Sequence, residues 1–155
     1  MIEAHATNID EAPWFEIAIA FERMGVIEIP GSRHHPLIVW FHAQTSLKAT
    51  TDEVPWCSSF ACAVMEMSGI RSPRSAAARS WLDWGEPLDK PRPGCVVVFN
   101  RASATNPNAA HVAFFWAPRG EDRRIDVLGG NQRNRVCVAP YLLADVIGYR
   151  WPKPA

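Results

Sequence analysis

The chain has 155 residues, of which 48% are apolar, and its 16 Lys and Arg residues balance its 16 Asp and Glu residues. A domain of this size buries roughly 70% of its unfolded surface, so one core forms without disulfides, and intrinsic disorder is excluded as the main state. Zero net charge argues against a nucleic-acid partner, and the longest apolar stretches, 37–41 and 96–99, fall far below the roughly 20 residues that cross a membrane. We expect a flexible N-terminus over 1–12 and one domain over 13–155.

Helix signals dominate the first half of the chain. Apolar residues recur at intervals of three and four residues between 13 and 24, which predicts an amphipathic helix with Pro13 in its first turn and Gly25 at its end. Pro36 then opens the run LIVWFHAQT, which fits a helix or a buried strand; we favour a helix. A third helix is predicted to start near Cys57 and to end at Gly69, and a short fourth one covers 76–84.

Strand signals dominate after residue 94. The segments are short, rich in Val and Ile, and separated by loops with Asn, Pro or Gly; they cover 96–99, 112–116, 124–128, 135–138 and 146–150. Helices followed by strands in one small domain predict an α+β fold, with N-terminal helices packed on a largely antiparallel sheet of five to six strands.

The four cysteines form no close framework. Their spacings of 5, 33 and 42 residues contain no C-x-x-C pair, which disfavours a zinc site. The acidic start does not resemble a signal peptide, so we expect synthesis in the cytoplasm, where thiols stay reduced. Three of them are interpreted as buried small hydrophobic residues: Cys62, Cys95 and Cys137. No metal or other cofactor is expected.

Cys57 differs from the others by its place at the first turn of a helix. Unpaired backbone N–H groups and the positive end of the helix dipole stabilise a thiolate there, so we expect its pKa to be depressed. Pro55 fixes the entry to the helix, while Phe60 and Val64 anchor it in the core. Cys57 is therefore a candidate nucleophile that still needs a base.

His111 and Asn131 complete a possible Cys, His, Asn site. His111 opens the strand HVAFFW after the polar loop 100–110, where a strand can hold it towards a cleft. Asn131 follows Gly129 and Gly130, which we expect to let the backbone turn, and it is predicted to accept a hydrogen bond from the imidazole nitrogen facing away from Cys57. Each residue taken singly also fits a structural role, and Asn131 also fits a residue that caps its own turn. The remaining histidines lie in a terminus, a turn and the end of an apolar run: His5, His34, His35 and His42.

Six segments carry a resemblance to a known family: DEVPWCSSFACAVMEMSGI, ARSWLDWG, PRPGCVVVF, HVAFFW, VLGGNQ and GYRWP. Together they resemble the CHAP-type branch of the NlpC/P60 superfamily of papain-like cell-wall hydrolases, in a phage- and prophage-associated subgroup, over residues 13–152. The resemblance implies Cys57 as nucleophile, His111 as base and Asn131 as the third polar group. Gly129 stands where many CHAP domains carry Glu, and Cys95 stands where Asp commonly follows Pro-Gly.

The function implied by this resemblance is cleavage of an amide bond in bacterial peptidoglycan. The enzyme would be an endopeptidase or an N-acetylmuramoyl-L-alanine amidase, acting as a phage lysin or an antibacterial effector. Its partners would be the peptidoglycan stem peptide and a phage component, a secretion system or an immunity protein, and it would reach the periplasm or cell wall after release or delivery. Two alternatives stay open: a catalytically idle module that binds cell wall or protein on the same scaffold, and a thiol enzyme that acts on another amide.

Overall fold

The computed structural model describes residues 11–154, apart from the side chain of Glu121, and it has an α+β fold as predicted. Helix α1 spans Pro13–Met24, with a proline in the first turn and Gly25 at a left-handed φ of 70° after the last turn. Helix α2 spans Pro36–Ala43, which decides the ambiguous apolar run in favour of a helix. Most of the predicted flexible N-terminus, residues 1–10, lies outside the described residues.

Helix α3 spans Cys57–Met67 and is the central helix of the domain. Its first nine residues, 57–65, are all buried, because α1, α2 and the sheet cover it on different sides. The helix predicted over 76–84 is instead a shorter 3-10 helix, Ala78–Asp83. Trp81 and Trp84, three residues apart, meet edge to face there with ring centroids 4.9 Å apart. No helix among residues 11–154 has the length and apolar character needed to cross a bilayer.

Six antiparallel strands form one sheet in the order β1-β6-β2-β3-β4-β5. The five longer strands match the five predicted ones, with longer bounds. The strands are β1 Glu86–Pro87, β2 Val96–Asn100, β3 Ala110–Pro118, β4 Arg124–Gln132, β5 Arg135–Leu142 and β6 Val146–Trp151. The sequence gives no signal for β1, because two residues that include a proline show no alternation.

The two faces of the sheet carry separate apolar clusters. Val98, Val112 and Phe114 belong to the cluster shared with α1, α2 and α3. Phe99 and Ala113, which alternate with them, belong to a smaller cluster on the opposite face. Alternation therefore puts the side chain of each odd-numbered residue of β3 from 111 to 115, including His111, on the face turned away from the helices.

Candidate active site

The N-terminus of α3 lies where β3 and β4 separate. The two strands pair from Phe114 and Leu128 outwards, although β3 begins at Ala110 and β4 continues to Gln132. The N–H of Phe115 donates to the carbonyl of Cys95, and its carbonyl accepts from the N–H of Gly94, so the backbone groups of Phe115 face β2. Because these groups alternate in direction along a strand, the N–H of Val112 faces β4. No strand partner meets Val112 there; instead its N–H faces the thiol of Cys57 closely enough to lower the pKa of that thiol. The thiol thus lies where a strand carbonyl would otherwise face Val112, the residue that follows His111.

Two glycines allow this close approach. A Cβ on Gly130 would lie 2.7 Å from Cβ of Phe60 and 2.8 Å from the ring of Trp56. A Cβ on Gly129 would lie 2.6 Å from Oε1 of Gln132. Neither is among the residues of positive φ, so neither supplies a left-handed turn; both glycines are needed for space.

Burial raises the pKa of the Cys57 thiol, which corrects the predicted depression. The expected stabilising groups are present, since the backbone N–H groups of Val112, Ser58 and Cys57 and the charge of Arg101 all lower this pKa. Their combined effect on the pKa is smaller than the effect of removing water from Cys57, which is only 8% exposed. Cys57 is therefore a neutral thiol at neutral pH.

The orientation of His111 is fixed by Gln132. Nε2 of the Gln132 amide donates to the carbonyls of Cys137 at 2.7 Å and Val127 at 3.3 Å. Its Oε1 is therefore left to accept from Nε2 of His111, at 2.9 Å. The imidazole then carries its proton on Nε2, and Nδ1 keeps the lone pair that a base requires.

Burial also lowers the pKa of His111 to about 4, despite the hydrogen bond to Gln132, which raises it. At neutral pH the imidazole is therefore uncharged, like the thiol beside it. Among residues 11–154 no hydrogen bond joins Cys57 to the His111 ring. The thiol faces the N–H of Val112, the residue that follows His111 in β3.

Asn131 does not make the hydrogen bond predicted for it, because Gln132 makes it instead. Asn131 has a φ of 57° and lies in a bulge of β4, where 130 and 131 stand opposite Val136 alone. Asn tolerates this left-handed conformation better than most residues, so it takes the bulge and the next residue returns to the strand. The sequence carried a signal for this outcome: because Asn favours turns, Asn131 could have been placed in the bulge and Gln132 chosen as the partner of His111.

Tyr141 covers the imidazole and was missed by the sequence analysis. Its ring stacks on His111 with centroids 4.9 Å apart and planes 13° apart, and Phe99 stacks on Tyr141 at 4.8 Å. His111 is only 2% exposed as a result. Surface cavities of about 400, 360, 330 and 320 Å³ are lined by other residues, so the thiol does not open into any of these four.

A second buried histidine, His42, lies on the other side of α3. Its Nδ1 is 2.8 Å from Oγ of Ser59, and burial lowers its pKa. Its Nε2 makes no hydrogen bond of ordinary geometry, and the carbonyls of Thr51 and Val54 only partly offset the effect of burial.

The remaining histidines have structural contacts where they are described. His34 pairs with buried Asp52 at 3.1 Å, and Nδ1 of His35 accepts from the first turn of α2. His5 lies outside the described residues. All four cysteines are free thiols; Cys95 is fully buried, and burial raises its pKa to about 12. Within residues 11–154 no three His, Cys, Asp or Glu side chains are grouped to hold a metal ion.

Comparison with known proteins adds no relative. No family model, no curated protein and no solved structure matches this chain.

Proposed function

We propose that this protein is a cysteine hydrolase of the papain-like NlpC/P60-CHAP type, which cleaves an amide bond in bacterial peptidoglycan. One observation carries the proposal: Gln132 orients His111 with Nδ1 unprotonated, and the next residue of the same strand, Val112, turns its N–H towards the Cys57 thiol and lowers the pKa of that thiol. A thiol at a helix start, an oriented imidazole and a neutral amide are the parts of a Cys–His–amide hydrolase. The α+β arrangement, with the thiol on a helix and the base on the sheet, supports the same reading.

The reaction would begin with both side chains neutral. With substrate bound, Nδ1 accepts the proton of the Cys57 thiol as Sγ attacks the carbonyl carbon of the amide. Gln132 accepts a hydrogen bond from the resulting imidazolium, although as a neutral group it stabilises that charge less than a carboxylate would. Free N–H groups at the start of α3 can stabilise the oxyanion of the tetrahedral intermediate.

The second half of the reaction restores the enzyme. The imidazolium donates its proton to the leaving amine nitrogen, the C–N bond breaks, and a thioester on Cys57 remains. Water, deprotonated by Nδ1, then attacks the thioester carbon. The acid product leaves, the proton returns to Sγ, and the thiol is regenerated.

Digestion of purified peptidoglycan by the full chain tests this proposal. We expect new amine and carboxyl termini by mass spectrometry, and we expect Cys57→Ser to remove them. Cys62→Ser is the matched control, since Cys62 lies on the same helix and its thiol donates to the carbonyl of Ser75, a hydrogen bond that a serine hydroxyl can also make. The positions of the new termini distinguish an endopeptidase from an amidase.

Other outcomes would favour the alternatives. If wild-type protein binds peptidoglycan and releases nothing, a binding module on the same scaffold replaces the enzyme. If it neither binds nor cleaves while Cys57 remains reactive towards small electrophiles, the substrate is another amide.

A further inference from the structure

Arg101 lies beside the covered imidazole. It follows β2 directly, and its Nη2 donates to the hydroxyl of Tyr141 at 3.2 Å, with Cζ 5.3 Å from the centre of that ring. Tyr141 in turn stacks on His111. The phenol therefore holds an exposed guanidinium next to the candidate catalytic residues.

No carboxylate neutralises this arginine in the described part of the chain. None of the ion pairs found among residues 11–154 includes Arg101, whereas Arg74, Arg92 and Arg119 each pair with an acidic side chain. The sequence from 90 to 120 contains no Asp or Glu, so the strands and loop around Arg101 add only neutral or basic groups. Of the five N–H groups of a guanidinium, one is used by Tyr141.

The charge of Arg101 also acts on the reacting groups. It lowers the pKa of Cys57 and that of His111, which shows that the field of the guanidinium includes both side chains. A buried acidic partner would have cancelled this field. An anion bound from solution would do so during the reaction.

We propose that Arg101 binds a carboxylate of the substrate beside Cys57, so that the enzyme acts on amides in molecules with a free carboxylate near the scissile bond. The planar fork of arginine matches a carboxylate through two parallel hydrogen bonds. This inference rests on the proposed role of Cys57 as nucleophile and adds the substrate class. Stem peptides with free carboxylates fit the site, and amidated ones leave Arg101 without a partner.

The first test needs no peptidoglycan. Iodoacetate and iodoacetamide alkylate a thiol by the same displacement of iodide, but only iodoacetate carries a charge. We would measure both rates at Cys57 by mass spectrometry of its peptide, in a Cys137→Ser background. Their ratio cancels the thiolate fraction, so it reports only the attraction of the anion.

Arg101→Gln should lower the ratio of iodoacetate to iodoacetamide rates by about three- to tenfold, as expected for a unit charge near the thiol. Arg101→Lys should keep part of it. Arg33→Gln, a change at an exposed arginine of another loop, is the control and should leave the ratio unchanged. An unchanged ratio in Arg101→Gln would overturn the proposal, as would a Cys57 that reacts with neither reagent.

A second test separates this inference from the proposed function. On peptidoglycan fragments, wild type should prefer free over amidated carboxylates by about tenfold in kcat/KM, and Arg101→Gln should lose the preference. If no fragment is cleaved while the alkylation ratio depends on Arg101, the cell-wall proposal fails and the carboxylate site stands. If fragments are cleaved equally by wild type and Arg101→Gln, the carboxylate site fails and the hydrolase stands.

Discussion

Two buried histidines lie near the first turn of α3, and their surroundings differ in one respect that matters for chemistry. His42, between α2 and α3, contacts the hydroxyl of Ser59 and leaves its second ring nitrogen without a hydrogen bond. His111, on the sheet, has its Nε2 hydrogen-bonded to Gln132. The next residue of its strand, Val112, turns its N–H towards the Cys57 thiol. Burial lowers the pKa of both imidazoles, so a shifted pKa alone does not distinguish a functional site from a polar contact in the core.

Orientation and access separate the two regions. The His42–Ser59 pair is fully enclosed, since both residues are 0% exposed. The cover over His111 includes the half-buried ring of Tyr141, which holds the exposed Arg101. The comparison teaches that the third, orienting group identifies the functional histidine better than a shifted pKa does.

Removing each imidazole is the strongest way to break this comparison. His111→Ala should lower kcat/KM on peptidoglycan by about a hundred- to ten-thousandfold, the usual size of general acid–base catalysis. His42→Ala should lower the free energy of unfolding and leave kcat within a few-fold, because Ser59 is not a reacting group. For both variants we would measure kcat per mole of folded protein and the thermal unfolding midpoint. Equal losses of kcat would refute the assignment of His111 as the base.

The pH dependence of stability measures the cost of both buried imidazoles. His111 has a pKa of about 4 in the folded protein against 6.5 unfolded, so the unfolded chain binds more protons between these values. Its stabilising contribution is complete above pH 6.5 and is lost as the pH falls to about 4, by about 3 kcal/mol.

His111→Gln should flatten this slope in urea unfolding measured from pH 7 to 4. His42→Gln should flatten it less, because nearby carbonyls and Asp52 oppose the lowering of the His42 pKa. A slope that is as steep in His111→Gln as in wild type would mean that His111 is not buried in its neutral form.

Gln132 and Asn131 form a matched pair of neighbouring amides. Gln132→Ala should lower kcat by about ten- to a hundredfold, the worth of an orienting hydrogen bond to a charged imidazole, whereas Asn131→Ala should change kcat less than twofold. Gln132→Glu should not restore kcat, because its second oxygen would face the carbonyls of Val127 and Cys137, to which the amide of Gln132 donates. If Asn131→Ala has the larger effect on kcat, the hydrogen bond to Gln132 is not the functional one.

The pH dependence of Cys57 reactivity sharpens the contrast between a neutral pair and an ion pair. With the thiol pKa raised by burial, the iodoacetamide rate should rise about tenfold per pH unit between about pH 6 and 8. A thiolate stabilised by an imidazolium would instead react at a constant rate over that range. The measurement is made in Cys137→Ser protein, with the Cys57 peptide followed by mass spectrometry.

Local signals in the sequence were enough for most of the fold. Pro13 and Gly25 set the bounds of α1 because proline favours a first turn and glycine adopts a left-handed φ. Alternation of Val and Ile predicted the five longer strands. The segment 78–83 was predicted as part of an α-helix, although it is a 3-10 helix, because six residues carry too little periodicity to separate the two.

The site was predictable only in part, because its details depend on tertiary contacts. A helix start and a strand start predicted Cys57 and His111 as candidates. The bulge in β4 decides whether Asn131 or Gln132 faces the imidazole, and such a shift of one residue is invisible to alternation. The raised pKa of Cys57 follows from how completely the rest of the chain covers it, which no local spacing predicts.

The Cys57 thiol beside the N–H of Val112 also connects the helical half of the chain to the sheet. Until α3 docks, the N–H of Val112 has no acceptor on the β4 side, and the opening between β3 and β4 is an unprotected edge inside the sheet. A fragment of only the strands, 86–154, would expose that edge to strands of other molecules. The helical half thus covers the opening between β3 and β4 as well as carrying Cys57.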